Sequence, residues 1–241
     1  MRYALRAEWT KLWTVPGTAW LLLGAVVGTA GLGALAAAAC SPGECGADPT
    51  RTSLTGIHIG QSVVAILAVL AIGGEYATGM MRVTLAAIPR RPAVLAAKAA
   101  VLAAVVVPAA AVAVPASLLS GDTPSLSGGP VLRAALGSVL YLLLVALLAL
   151  GVATVVRHPA AAIGCVLGLL YLFPIVAAAM ADPDWQRRLE KVGPMSAGQS
   201  IQATTGLDGL PVGPWAGLGV LALWAAGALL AGALALQARD A

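Results

Sequence analysis

AALGSVLYLLLVALLALGVATVV, residues 134–156, contains no Asp, Glu, Lys or Arg. A helix needs roughly 20 apolar residues to cross about 30 Å of hydrocarbon, and a charge at its centre costs roughly 2.5–3.5 kcal/mol. This stretch meets both conditions. Residues 12–43, 52–74, 99–121, 158–181 and 209–238 are equally free of charge. The 14 basic and 10 acidic residues are confined to the seams between these stretches, where a soluble domain would scatter them along the chain. The pattern predicts an all-α integral membrane protein with six spanning helices. The longest seam is about 30 residues, too short for a separate soluble core, so residues 1–241 form one transmembrane domain. The first apolar stretch exceeds the length of a cleavable signal and is followed by five more, which argues for a retained span.

The net charge of +4 could point to nucleic acid, but its distribution points to orientation instead. With the N-terminus in the cytoplasm and sides alternating, nine Lys and Arg residues fall inside, accompanied by Glu8, Glu75 and Asp240. Five basic residues fall outside, with seven carboxylates. The positive-inside rule therefore puts both termini in the cytoplasm, and no nucleic-acid partner is expected. Cys40 and Cys45 lie in the first outer loop, where a disulfide would close a very small ring; Cys165 reads as a small apolar residue within a span.

Residues 2–15 read as an interfacial helix. Leu5, Trp9, Leu12 and Trp13 share one face, while Ala7, Glu8 and Lys11 face away. The alternative is a plain extension of the first span, although Pro16-Gly17 favours a bend. The spans are expected near 18–40, 55–74, 93–118, 131–156, 160–180 and 215–237. Gly24-x-x-x-Gly28 in the first is a small-residue packing pattern. Pro108 and Pro115 suggest a kink in the third, and Pro174 a bend in the fifth. Residues 181–214 are expected as an outer loop containing about two helical turns at 184–192.

Several chemistries lack their residues. The three lysines, Lys11, Lys98 and Lys191, never follow a glycine, so no phosphate-binding loop of the Gly-Lys type exists. The sequence contains no His-Glu-x-x-His. The carboxylate nearest membrane depth is Glu75, at the inner end of the second span. The chain is therefore expected to be no enzyme and to bind no cofactor itself.

The most distinctive seam spans residues 75–92. A glutamate at the membrane edge is followed by an Ala-Thr-Gly break, then Met80, Met81, Arg82, Val83 and Leu85, then Pro89-Arg-Arg-Pro92. It reads as a short surface helix between two breaks, either a docking surface for a cytoplasmic partner or a basic lipid-facing anchor. Gly74-Glu-Tyr-Ala-Thr-Gly-Met-Met-Arg-Val-Thr-Leu85, with the following Pro-Arg-Arg, resembles the second-span junction of ABC-2 type permeases, the membrane subunits of bacterial ABC exporters. Glu8-Trp-Thr-Lys-Leu-Trp13 is similar to the opening of many actinobacterial permeases of this group, and Gly193-Pro-Met-Ser-Ala-Gly198 also resembles the stretch before their last span.

The resemblance implies a type V exporter-like fold with an N-terminal amphipathic elbow helix, in a bacterial cytoplasmic membrane. It implies a second permease subunit, as a homodimer, and two cytoplasmic ABC ATPase subunits that hold ATP and Mg. Residues around Glu75, Tyr76, Thr78, Gly79, Met80, Met81, Arg82 and Leu85 would form the ATPase-coupling helix, with Glu75 paired to Arg82 or another nearby basic residue. His58, Gln61 and Ser62 would lie near the outer part of a translocation path between protomers; ordinary outer-interface polarity is the other reading. Arg157-His158 would be a minor ATPase contact or simply a hairpin turn. Drug, antibiotic, lipid and peptide cargo all suit such a path. Outside this family, an ATP-independent carrier or a non-transporting immunity or receptor scaffold would share the same topology.

Overall fold

A computed structural model describes residues 2–14, 16–39, 48–87, 91–119 and 128–238. Among these the regular structure is helical, and six helical segments are long and apolar enough to cross a membrane. Cys40 and Cys45 lie outside the described residues, as does Arg90.

Helix α1 spans Arg2–Thr14, and α2, the first span, Pro16–Ala38. The second span is built from α3 (Pro49–Ser53), a 3-10 turn, and α4 (Ile57–Ala77). A short helix, α5 (Met80–Ala87), leads toward the third span, α6 (Arg91–Leu119). The fourth span is α7 (Gly129–Val156). The fifth comprises α8 (Pro159–Leu167), a π-helical segment at Gly168–Leu172, and α9 (Phe173–Ala178). Two short helices follow, α10 (Pro183–Val192) and α11 (Pro194–Gln199), and α12 (Pro214–Ala238) is the last span. Proline opens α2, α3, α8, α10, α11 and α12. Its fixed φ suits the first helical turn, where its missing N–H would have had no partner.

The second and fourth spans form the centre and the first, fifth and sixth the periphery, as their burial shows. Ile57, Ile72, Tyr141, Leu148 and Leu150 in this centre are fully buried. Without a strong hydrophobic drive between apolar helices in lipid, close approach depends on small residues. A Cβ on Gly56 would lie 1.9 Å from the Thr29 carbonyl oxygen, and one on Gly60 2.2 Å from Thr29 Oγ1. One on Gly33 would lie 1.9 Å from Ser117 Oγ. The first two spans therefore meet through Thr29-x-x-x-Gly33 and Gly56-x-x-x-Gly60. Gly24, half of the pattern singled out in the sequence, faces open space, whereas Gly28 touches Ile59. Gly151 and Gly232 bring α7 and α12 together in the same way.

Helix α1 packs against the start of α6, where the Glu8 carboxylate meets Lys98, about 10 Å inside that helix. Helix α6 runs unbroken through Pro108 and Pro115. In the fifth span the break sits before Pro174: that residue has no N–H to bond one turn back, and the preceding segment winds as a π-helix.

The 181–214 seam departs from an outer loop in its middle. Helix α10 is exposed, but Pro194, Met195, Ala197 and Gly198 of α11 are buried. Gly217 packs against the Ala197 carbonyl, and Gly198 against Tyr141. Trp224 Nε1 donates to the Val192 carbonyl at 2.9 Å, about 15 Å along α12 from Pro214. The segment thus turns back between the spans before leaving again.

Candidate functional site

The sequence-predicted coupling residues gather at the end of the bundle where α1 lies. Helix α4 ends at Ala77, and Thr78 Oγ1 donates to the Gly74 carbonyl at 2.9 Å. Gly79 turns the chain at φ 71°, a conformation that glycine adopts without a Cβ clash. Helix α5 then presents two faces. Met81 and Thr84 are buried and Leu85 half-buried, whereas Met80, Arg82 and Val83 are exposed. Of the residues read from the sequence as a surface helix, Met80, Arg82 and Val83 are thus surface and Met81 is core.

Glu75 does not pair with Arg82. Its Oε1 lies 2.7 Å from Lys11 Nζ and 2.8 Å from Lys98 Nζ. Glu8 completes the group, with Oε2 at 2.6 Å from Lys98 and Oε1 at 3.3 Å from Lys11. Lys11 also donates to Thr84 Oγ1 at 3.2 Å, and Lys98 to the Ala71 carbonyl at 3.3 Å. Arg82 lies on the exposed face of α5, whereas Lys11 and Lys98 reach the carboxylate from α1 and α6. Glu8, Glu75 and Lys98 are 6%, 7% and 3% exposed, so four formal charges of zero sum are held largely out of water. Desolvating such ions is costly, and the arrangement is stable only because each has partners. Burial pulls the Lys11 amine down, but hydrogen bonding and attraction from Glu75 and Glu8 outweigh it and leave the pKa above its ordinary 10.5. The cluster ties α1, α4, α5 and α6 into one unit.

The face assignment of α1 explains how. Trp9 and Trp13 are exposed, with ring centroids 6.0 Å apart and planes tilted by 53°, while Glu8 is buried. The two tryptophans suit a lipid interface, but the expected faces are split: Leu5, Lys11 and Leu12 are half-buried beside Glu8, and Ala7 is exposed. Sequence reasoning counted Glu8, Lys11 and Lys98 as seam charges. The missed signal was Lys98, which stands inside its own predicted span at 93–118; an ionisable group there needs a partner.

Tyr76 joins this junction to the turn between the fourth and fifth spans. The Arg157 guanidinium sits 5.6 Å from the ring centre, and Arg157 takes φ 61° at the end of α7. The same guanidinium donates to the Ala235 carbonyl at 2.9 Å, and Arg91 to the Leu236 carbonyl at 2.7 Å. Both cations thus satisfy carbonyls in the last turn of α12, where the helix dipole is negative. His158 caps α8.

At the opposite end, His58, Gln61 and Ser62 come together with the re-entrant segment. Gln61 is fully buried; Tyr141 donates to its Oε1, and its Nε2 lies 3.4 Å from Met195 Sδ. Ser62 Oγ lies 2.6 Å from the Tyr171 hydroxyl, which also donates to the His58 carbonyl. His58 Nδ1 lies 3.5 Å from Gln199 Nε2. Tyr171 belongs to the π-helical segment, so the irregular turn of the fifth span is what brings its hydroxyl to the second. Of the three residues Gln61 is buried and His58 and Ser62 are half-buried. Beyond them, Asp48 caps α3 through the Arg51 N–H and accepts from the backbone and hydroxyl of Thr204 and from the Thr205 N–H. Compared with known proteins, the sequence matches no family model, and no curated sequence is significantly similar to it.

Proposed function

We propose that this chain is the permease subunit of an ATP-driven exporter of the ABC-2 type, acting as a pair of membrane subunits with two separate ATPase subunits. The observation that carries the reading is α5. Its outer face offers Met80, Arg82 and Val83, while its inner face is fixed by Met81 and by Thr84, a partner of the ion cluster. A partner pressing on that outer face would move α1, α4 and α6 together, which is what a lever requires. In this reading α1 and α5 are cytoplasmic, in accord with the excess of Lys and Arg assigned to that side. ATP and Mg reside on the partner, and ATP shifts the membrane pair only by favouring contacts of one form over the other. Cargo of drug, antibiotic, lipid or peptide type would cross between the two subunits, with His58, Gln61 and Ser62 at the outer end of the path once Tyr171 withdraws.

The test is a pull-down with the full chain for a cytoplasmic P-loop ATPase, followed by ATP turnover of the copurified complex in proteoliposomes. Val83→Glu and Arg82→Glu place a carboxylate on the exposed face and should lower turnover about tenfold, the loss of one good interface anchor. Membrane insertion and unfolding temperature should not change. Transport by the chain alone, or full turnover in both variants, would remove the assignment.

A further inference from the structure

Helix α10 sorts its charges by side. Gln186, Leu189 and Glu190 are half-buried, whereas Trp185, Arg187, Arg188 and Lys191 are exposed. Lys191 follows Arg188 by three residues and Arg187 by four, so the three cations are neighbours on the helix surface. Arg188 covers the Trp185 ring, 5.4 Å from its centre. Glu190 accepts from Gln186 Nε2 at 3.2 Å. Asp184, the only exposed carboxylate of this helix, forms no ion pair with the cations among the described residues.

The C-terminal end of α10 lies well below the ends of the neighbouring spans. The Val192 carbonyl accepts from Trp224, about 15 Å along α12. A Cβ on Gly193 would lie 2.9 Å from Phe173, which stands about 8 Å before the end of α9. Beside this end is a groove of about 660 Å³ between α7, the π-helical segment and α12. Leu148, Val152, Leu169 and Leu223 wall it, and Lys191 and Trp224 also line it. That volume is within the range of small-ligand sites. The groove belongs to the periphery of the bundle, where Leu223 is 75% exposed, so in a membrane hydrocarbon lies against it.

An ammonium beside such a groove is costly unless an anion meets it. Lys191 has three N–H groups, and its ammonium meets no acceptor among the described residues. A phosphate would take those donors, and guanidiniums one turn away match the same oxygens. A zwitterionic head brings a cation of its own and forfeits much of the attraction. A free phosphate leaves the apolar walls unused. We infer that the groove holds an acyl chain of an anionic phospholipid, such as phosphatidylglycerol, whose phosphate is met by Lys191 with Arg187 and Arg188. The site shares no lining residue with His58, Gln61 and Ser62 and needs no ATPase, so it stands apart from the function proposed above.

The test places the full chain in phosphatidylcholine nanodiscs containing phosphatidylglycerol or phosphatidylcholine with the same diazirine-bearing acyl chain, and maps the photolabel by mass spectrometry. Label is expected on Leu148, Val152, Leu169 and Leu223, about fivefold more from phosphatidylglycerol, the worth of about one cation near a lipid head. Lys191→Gln should bring the two lipids close to parity while label persists. Gly227 lines the groove, and a Cβ there would meet no heavy atom within 4 Å. Gly227→Phe should therefore fill the groove and abolish label from both lipids. Both variants replace exposed residues and should keep the wild-type unfolding temperature. Glycerol phosphate, a head without a tail, should not displace the label. Equal labelling by the two lipids in wild type, a preference that survives Lys191→Gln, labelling indifferent to Gly227→Phe, or displacement by glycerol phosphate would overturn the inference. Absence of label from these four residues, as when a second copy of the chain covers the groove, would overturn it too.

Discussion

Lys98 is the residue on which the near end of the bundle turns. It sits about two turns inside α6, is 3% exposed, and is the more deeply buried of the two cations that hold Glu8 and Glu75. Removing one partner of a buried ion group leaves uncompensated charge, at a cost of about 3–5 kcal/mol. Lys98→Met should therefore lower the unfolding temperature of the nanodisc-embedded chain by a corresponding amount. Glu8→Gln combined with Lys98→Met leaves the Lys11–Glu75 pair neutral and should recover most of the loss. A double variant no better than the single one would show that charge balance is not what holds this site. Glu75 was legible in the sequence because it stands alone at a membrane edge. Its partners were not, because Glu8 and Lys11 come from a helix whose polar side reads equally well as facing water or facing protein. Only the packing of α1 against α6 decides between them.

At the scale of helices, the spans were plain in the sequence because hydrocarbon excludes charge so strongly that the boundaries follow the charges. The third span was expected at 93–118 and runs over Arg91–Leu119; the fourth was expected at 131–156 and runs over Gly129–Val156. How the helices meet was not legible, since 28 glycines offer many equivalent packing patterns. The structure selects Gly56, whose hypothetical Cβ would strike the Thr29 carbonyl, and leaves Gly24 in open space. Overpacking a close contact costs about 1–3 kcal/mol, whereas an unopposed surface change stays within about 0.5 kcal/mol. Gly56→Ala should thus destabilise the chain measurably in thermal unfolding, and Gly24→Ala should not. The π-helical segment and the buried α11 were equally hidden. Pro174 announced a break in the fifth span but not its form. The polarity of 182–191 suited an outer loop, and nothing local showed that residues 194–202 return between the spans.

Taken whole, the molecule is tied at both ends and closed between them. At one end the ion cluster binds α1, α4, α5 and α6; at the other, Asp48 holds the start of α3 to Thr204 and Thr205 beyond α11. The contacts of Tyr171 with His58 and Ser62 join the second and fifth spans, and the Asp48 tie joins the second to the segment before the sixth. The tie spans 156 residues of sequence, so no local pattern could have disclosed it. Acid is its natural probe. Burial raises the Asp48 carboxyl, but hydrogen bonds from Thr204, Arg51 and Thr205 outweigh this and hold its pKa below the ordinary 3.8. The folded state therefore binds that proton less readily than the unfolded chain. Its stabilising contribution is complete above 3.8 and is lost as the pH falls through the depressed folded value. Unfolding temperatures measured from about pH 5 to about pH 2 should show wild type declining toward the Asp48→Asn variant. That variant lacks a titrating group at this position and should start lower and fall less. A gap between the two proteins that stays constant across the range would mean that the carboxylate's charge does not contribute to the tie.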